Sequence, residues 1–259
     1  MMKLLVVSLT TLCLLMPLSL MADTQGLNLK NNKLRIAVDT TYPPMEFESD
    51  DGKIIGMDVD LAREIAKILK VDVEFIVMPW DGVLAGLAGN RYDIIMSSMN
   101  ITPERSLQVN FVPYFSMGQV FVVKKSGKPV KNEKDLAGRV IAVQADTTSF
   151  NALEGFKKSG IPIKEIKAFK GATETFSALA ANQVDSIITD EAVGLYYAGL
   201  DPKTFVISGE AMKPEPIGIA VKKTDTQLLQ ALIAAVKTIK SNGTYARIYK
   251  QWLKVAPKN

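Results

Sequence analysis

Residues 71–96 read VDVEFIVMPWDGVLAGLAGNRYDIIM, and the period of their apolar positions changes twice. Val71, Val73, Phe75 and Val77 alternate with polar or smaller neighbours, the mark of a strand. After Trp80, the residues Val83, Leu84 and Leu87 fall at helical spacing and stop at Gly89-Asn90, a pair suited to a helix C-terminus. Residues 92–96 return to a short apolar run. This stretch therefore predicts a strand, a helix and a second strand.

Upstream, 33–39 reads as a strand, and Asp58 is placed to N-cap a helix whose Leu61, Ile65, Ile68 and Leu69 fall at i, i+4, i+7 and i+8. Together these segments make a βαβαβ half. Downstream the same order recurs, with strands at 120–124, 139–143, 164–169 and 185–189 and helices from about 147, over 173–181 and from 191. A further strand at 217–221 precedes helices over 225–241 and 244–255, separated by Asn242-Gly243. The expected fold class is α/β with two lobes: lobe 1 from 33–117 plus 218–259, lobe 2 from 118–217. Two crossings, near 117–119 and 213–217, would serve as hinge strands for closure around a ligand.

Composition excludes several classes of function. The chain of 259 residues is 47% hydrophobic and 22% charged, a folding composition. Its 31 Lys and Arg against 27 Asp and Glu form no basic block, which argues against nucleic acid as a partner. There is no histidine and a single cysteine, Cys13, so histidine-dependent nucleophiles, histidine metal ligands and disulfides are excluded. No metal or cofactor site is expected.

The N-terminus has the grammar of an export signal. Lys3 precedes an uncharged apolar stretch over 4–21, and the small Ala22 precedes a polar turn in composition at Asp23. Residues 1–22 are expected to be a cleaved signal peptide, releasing a cysteine-free product into the periplasm. An uncleaved anchor is the alternative, weakened by Pro17 and four hydroxyl residues; lipidation of Cys13 lacks the small residue wanted before it.

Binding chemistry is expected where strands end, in the crevice between lobes. Residues 97–105 follow a strand and offer Ser97, Ser98, Met99, Asn100 and Arg105, whose guanidinium can fork a carboxylate. Gln144, Thr147 and Thr148 follow another strand and open a helix, where free N–H groups favour an anionic group. Asp190 ends a largely apolar strand, where a carboxylate is poorly solvated unless it meets a cation. An Arg in one lobe and an Asp in the other suit the two ends of an α-amino acid.

These residues carry a family resemblance over 33–254. Residues 39–47 (DTTYPPMEF), 56–62 (GMDVDLA), 96–105, 143–148, 185–191 and the terminal 242–245 resemble the polar amino acid binding proteins of ABC importers. The resemblance implies a two-lobed periplasmic binding protein, monomeric, that delivers an amino acid to a membrane permease. It implies that Arg105 takes the α-carboxylate with the Thr147 and Thr148 amides, and that Asp190 takes the α-ammonium with Ser98 and Asn100. Tyr42 and Trp80 would enclose the side chain. Met45 and Met57 stand where the family usually has Phe, and Asp146 where it usually has Gly.

Each of these residues also has a plainer reading. Arg105 has that of a surface ion pair, Asp190 of a helix N-cap, Asp39 of a turn cap, Met99 of packing, and Tyr42 and Trp80 of core aromatics. For the ligand, Asp39 and Glu46 add acidic groups, Tyr42 and Trp80 can sandwich a guanidinium, and Gln144 offers an amide oxygen. Arginine is the expected ligand, then lysine; glutamine or histidine is the alternative within the family. An enzyme of cyclohexadienyl dehydratase type is the alternative from another class, and Asp190 counts against it, because a substrate lacking an amino group has no use for an acidic partner.

Overall fold

The computed structural model describes residues 27–254. The expected signal peptide at 1–22, with Cys13, and residue 255 of the last expected helix lie outside them. The first half of the chain supplies β1 (Lys33–Val38), β2 (Thr41–Tyr42), β3 (Glu46–Glu48), β4 (Ile54–Ile55), α1 (Met57–Leu69), β5 (Asp72–Val77), α2 (Val83–Ala88), β6 (Ile94–Ile95), α3 (Pro103–Gln108) and β7 (Val109–Met117). There follow β8 (Gln119–Lys124), β9 (Val140–Gln144), α4 (Thr148–Lys158), β10 (Glu165–Phe169), α5 (Ala172–Ala180), β11 (Ser186–Asp190), α6 (Glu191–Leu200) and β12 (Phe205–Ser208). β13 (Glu215–Lys222), α7 (Thr226–Ser241) and α8 (Thr244–Leu253) end the described chain.

The strands form two five-stranded sheets, ordered β5-β1-β6-β13-β7 and β10-β9-β11-β8-β12, and a small sheet β2-β3-β4. Both large sheets are built alike. A first strand lies between two parallel neighbours, β1 between β5 and β6 and β9 between β10 and β11, and antiparallel strands complete the sheet. The expected two-lobed α/β fold is therefore present. Because β1 is covered on both faces, its Leu34, Ile36, Ala37 and Val38 are all buried. β5 lies at the sheet edge, where alternation survives in its burial. In the second sheet, β8 sends Val120 and Val122 into one apolar cluster and Phe121 and Val123 into another, so helices pack on both faces.

Sequence and structure part company in a few elements. Helix α1 begins one residue before Asp58 and is preceded by Gly56 at φ 137°. A Cβ there would stand 2.1 Å from the Met45 carbonyl oxygen, so this entry requires glycine. Asp58 lies in the first turn, fully buried, and does not act as the N-cap. The nine-residue β7 was not anticipated: Pro113 interrupts it and its polar positions break alternation. It is tolerated because β7 is an edge strand. α3, β12 and the small sheet also lie where only irregular chain was expected.

The chain passes between the sheets at two adjacent places. Met117, at the end of β7, pairs with Glu215, at the start of β13, and Gln119 already belongs to the second sheet. The intervening Gly118 lies so close to the return segment that a Cβ would come within 2.2 Å of the Met212 carbonyl oxygen. Both crossings thus run side by side at one edge of the crevice.

Candidate functional site

The carboxyl ends of β1 and β6 in one lobe face those of β9 and β11 in the other. The cleft between them is lined by Asp39, Tyr42, Glu46, Trp80, Ser97, Ser98 and Asn100 from the first lobe and by Gln144, Thr147, Thr148, Ser149 and Asp190 from the second. All the sequence-expected residues are there except Met99 and Arg105. Met99 is fully buried in an apolar cluster with Ala37, Leu87, Tyr92 and Ala220, so it packs the lobe, and its place among the binding residues is corrected. Arg105 stands at the edge, anchored to cleft residues as described below.

Asp39 does both things its position allowed. Its Oδ1 accepts from the Thr41 amide at 3.2 Å and hydroxyl at 2.9 Å, capping the turn into β2, while its Oδ2 accepts from Gln144 Nε2 across the cleft at 2.6 Å. Gln144 Nε2 also donates to the Lys170 carbonyl at 3.0 Å, so both of these side-chain bonds use the amide nitrogen. Burial raises the Asp39 carboxyl above its ordinary range, against the hydrogen bonds from Thr41 and Gln144. Ser97 Oγ accepts from the Asp39 amide and donates to Glu46 Oε1 at 2.8 Å.

The opening of α4 forms the opposite wall. Thr147 is its N-cap, accepting from the Phe150 amide, and Thr148 Oγ1 donates to Asn100 Oδ1 at 3.2 Å while accepting from Gln119. Asp146 takes the left-handed conformation at φ 58°, as its family-variant position required, with its side chain exposed. Its carbonyl accepts from Trp80 Nε1 at 3.0 Å and from Arg105 at 3.1 Å. The Arg105 guanidinium lies 5.2 Å from the Trp80 ring centroid and also donates to the Asn100 carbonyl. One face of the indole is thus taken by the protein's own arginine. Tyr42 donates its hydroxyl to Asp190 Oδ2 at 2.8 Å. Tyr42 and Trp80 both line the cleft.

Asp190 is one of two cleft carboxyls, with Glu46, that keep a buried oxygen without a partner among the described residues. It occupies the N-cap position of α6 without a capping hydrogen bond, and its Oδ1 is buried with no partner among the described residues. Burial raises its pKa to about 7, with Tyr42 and Arg105 opposing the rise and Glu215 adding to it. Burial lowers that of Arg105, and the negative charges of Asp190 and Glu215 resist the change. Two cleft residues were missed by the sequence reading. Ser149 is buried in the first turn of α4, and Glu215 on β13 accepts from Asn100 Nδ2 at 3.2 Å.

A wider groove of about 410 Å³ lies on the outer face of the first lobe, between α1, β5 and α8. Its basic side chains are exposed and pair with half-buried carboxylates, Arg63 with Asp60 and Lys67 with Glu64, and among the described residues it holds no unsatisfied buried group. The interlobe cleft is the candidate site.

The sequence profile of the bacterial extracellular solute-binding proteins, family 3, matches residues 34–255. The chain belongs to this family. Among relatives, it is 33% identical over 242 residues to the ABC transporter glutamine-binding protein GlnH of Bacillus subtilis, covering 91% of this chain and 86% of GlnH. An ancestral arginine-binding protein solved with arginine is 38% identical, with a TM-score of 0.82 over 85% of this chain and 98% of that one. An ancestral arginine-binding protein solved with glutamine is 38% identical, with a TM-score of 0.81 over 86% of this chain and 99% of that one. The ancestral amino acid-binding protein AncCDT-1, a precursor of cyclohexadienyl dehydratase, is 36% identical with a TM-score of 0.80, over 86% and 96%. At the level of the family, this solute-binding protein serves extracytoplasmic amino acid capture for ABC import, and these relatives are named as binding proteins. Among the described residues, no helix is long and apolar enough to cross a membrane.

Proposed function

We propose that the protein is a monomeric periplasmic receptor for a basic L-amino acid, arginine before lysine, released by cleavage of residues 1–22 and delivering its ligand to an ABC import permease. The observation that carries this reading is Asp190, buried in the cleft that Asn100 also lines, with one carboxylate oxygen unpartnered among the described residues. Such a group calls for a cation with hydrogens to donate, which is what an α-ammonium supplies. Arg105 takes the α-carboxylate with the Thr147 and Thr148 amides at the N-terminus of α4, and Ser98 and Asn100 assist Asp190. Asp39 and the Gln144 amide oxygen then meet a guanidinium side chain. Tyr42 and Trp80 flank the ligand through their contacts with Asp190 and Asp146.

Closure moves lobe 1 (33–117 plus 218–259) against lobe 2 (118–217) about the paired crossings. A glutamine receptor is the second reading, favoured by the relatives solved with or named for glutamine. The dehydratase reading is weaker, since the cyclic acids concerned leave Asp190 without a partner. Thermal-shift screening of the purified protein against the twenty amino acids tests the proposal. Arginine should give the largest stabilisation, with a ligand at a hundred times its Kd adding about 2.7 kcal/mol. A larger shift with glutamine or an acidic amino acid would overturn the ligand assignment.

A further inference from the structure

Glu46 and Asp58 meet beneath the cleft, and neither is satisfied as a free carboxylate. Glu46 on β3 is 1% exposed and Asp58 in α1 is 0% exposed. Glu46 Oε1 accepts from the Ser97 hydroxyl at 2.8 Å. Asp58 Oδ2 accepts from the Ser98 amide at 2.8 Å, the Ser98 hydroxyl at 3.1 Å and the Tyr114 hydroxyl at 2.7 Å. The remaining oxygens, Glu46 Oε2 and Asp58 Oδ1, are buried and receive no donor among the described residues. The Asp58 amide donates to the carbonyl of Met45, the residue before Glu46, at 2.9 Å, so α1 and β3 bring the two carboxyls together. Ionised carboxylates only accept, so two of them buried together, each with an oxygen that no donor reaches, are relieved by a proton held between them.

We infer that Glu46 and Asp58 share one proton, with Glu46 the neutral acid that donates from Oε2 to Asp58 Oδ1 and Asp58 the anion that positions Ser98 in the cleft. The donors assign the charge: three reach Asp58 and one reaches Glu46. The titratable groups that act most strongly on the pair among the described residues are Asp39 at the end of β1, Tyr42 on β2, Tyr114 on β7 and Tyr245 on α8, and none of these is a cation. Burial raises both carboxyls above their ordinary range; for Glu46, raised well above it, repulsion from Asp58 adds to the rise.

The pair shapes the site in two ways. Ser98 sits in the left-handed region at φ 47°, which costs backbone energy for a serine, and Asp58 bonds both its amide and its hydroxyl. Asp58 is therefore a positioning residue acting through Ser98. Glu46, although it lines the cleft, brings no second negative charge to it, so the attraction for a basic side chain falls to Asp39. That last consequence rests on the basic-ligand reading, whereas the proton sharing does not.

The test uses the ligand-free protein, so its failure is distinct from a failure of the ligand assignment. Infrared spectra at about pH 8, where Asp190 is mainly ionised, should show a neutral-carboxyl carbonyl band that disappears in Glu46→Gln. The amide keeps the shape of the acid and its N–H replaces the shared proton, so the variant should fold. Between about pH 5 and pH 8 the unfolding equilibrium constant of the unsubstituted protein should climb about tenfold more per pH unit than that of Glu46→Gln, because folding takes up the shared proton. Asp58→Ala, if folded, should weaken amino acid binding at least tenfold by releasing Ser98. Absence of the band, its persistence in Glu46→Gln, equal pH slopes, or failure of Glu46→Gln to fold would each overturn the inference.

Discussion

Asp190 sets the pH behaviour expected of the cleft. Burial holds its proton on up to about pH 7 even against the charge of Arg105, and an α-ammonium pairs best with the ionised form. Ligand binding must therefore expel that proton at low pH. Affinity should be flat above neutrality and fall up to about tenfold per pH unit below it, with close to one proton released per ligand in calorimetry across buffers of different ionisation enthalpy. Asp190→Asn should remove the pH dependence along with most of the affinity. Much of this residue-scale picture was legible in the sequence, because Asp190, Gln144 and Ser97 end strands and strand ends face the crevice. What was not legible was partnership. Whether Trp80 faces a ligand or Arg105, whether Met99 points into the cleft or the core, and that Glu215 reaches Asn100 from a distant strand depend on contacts between segments far apart in the chain.

At the scale of elements, periodicity located the parallel trios of both sheets, whose strands are short, apolar and separated by helices with clean stripes. It failed at β7, where Pro113 and scattered polar residues hide an edge strand, and at the start of α1, where the decisive feature is the close approach of Gly56 to the Met45 carbonyl. That approach makes a prediction. Gly56→Ala forces a side chain into φ 137° and against backbone, so it should destabilise by more than the usual ~1 kcal/mol of a glycine substitution, read as a lowered urea midpoint with little change in slope. The helix N-cap Thr147 is a milder case. Thr147→Ala should cost about 1 kcal/mol of stability and weaken ligand binding as well, since the same first turn of α4 faces the cleft.

The whole molecule is two similar lobes joined by two crossings that lie against each other, with a cleft whose polar groups come from both sides. Direct bonds already span it, Tyr42 to Asp190, Gln144 to Asp39, and Trp80 and Arg105 to the Asp146 carbonyl. The resemblance of the sequence to amino acid binding proteins covered nearly all of this architecture; of the antiparallel strands that complete the sheets, β8 and β13 were expected from the sequence, while β7 and β12 came only with the structure. In the proposed mechanism the ligand joins the lobes through the two ends of its zwitterion, so removing either partner strands a charge in the closed cleft. Titration calorimetry of arginine into the unsubstituted protein, Arg105→Ala and Asp190→Ala tests this most directly. The account predicts a loss of several kcal/mol in binding for each variant; a loss below about tenfold, about 1.4 kcal/mol, for both would contradict it.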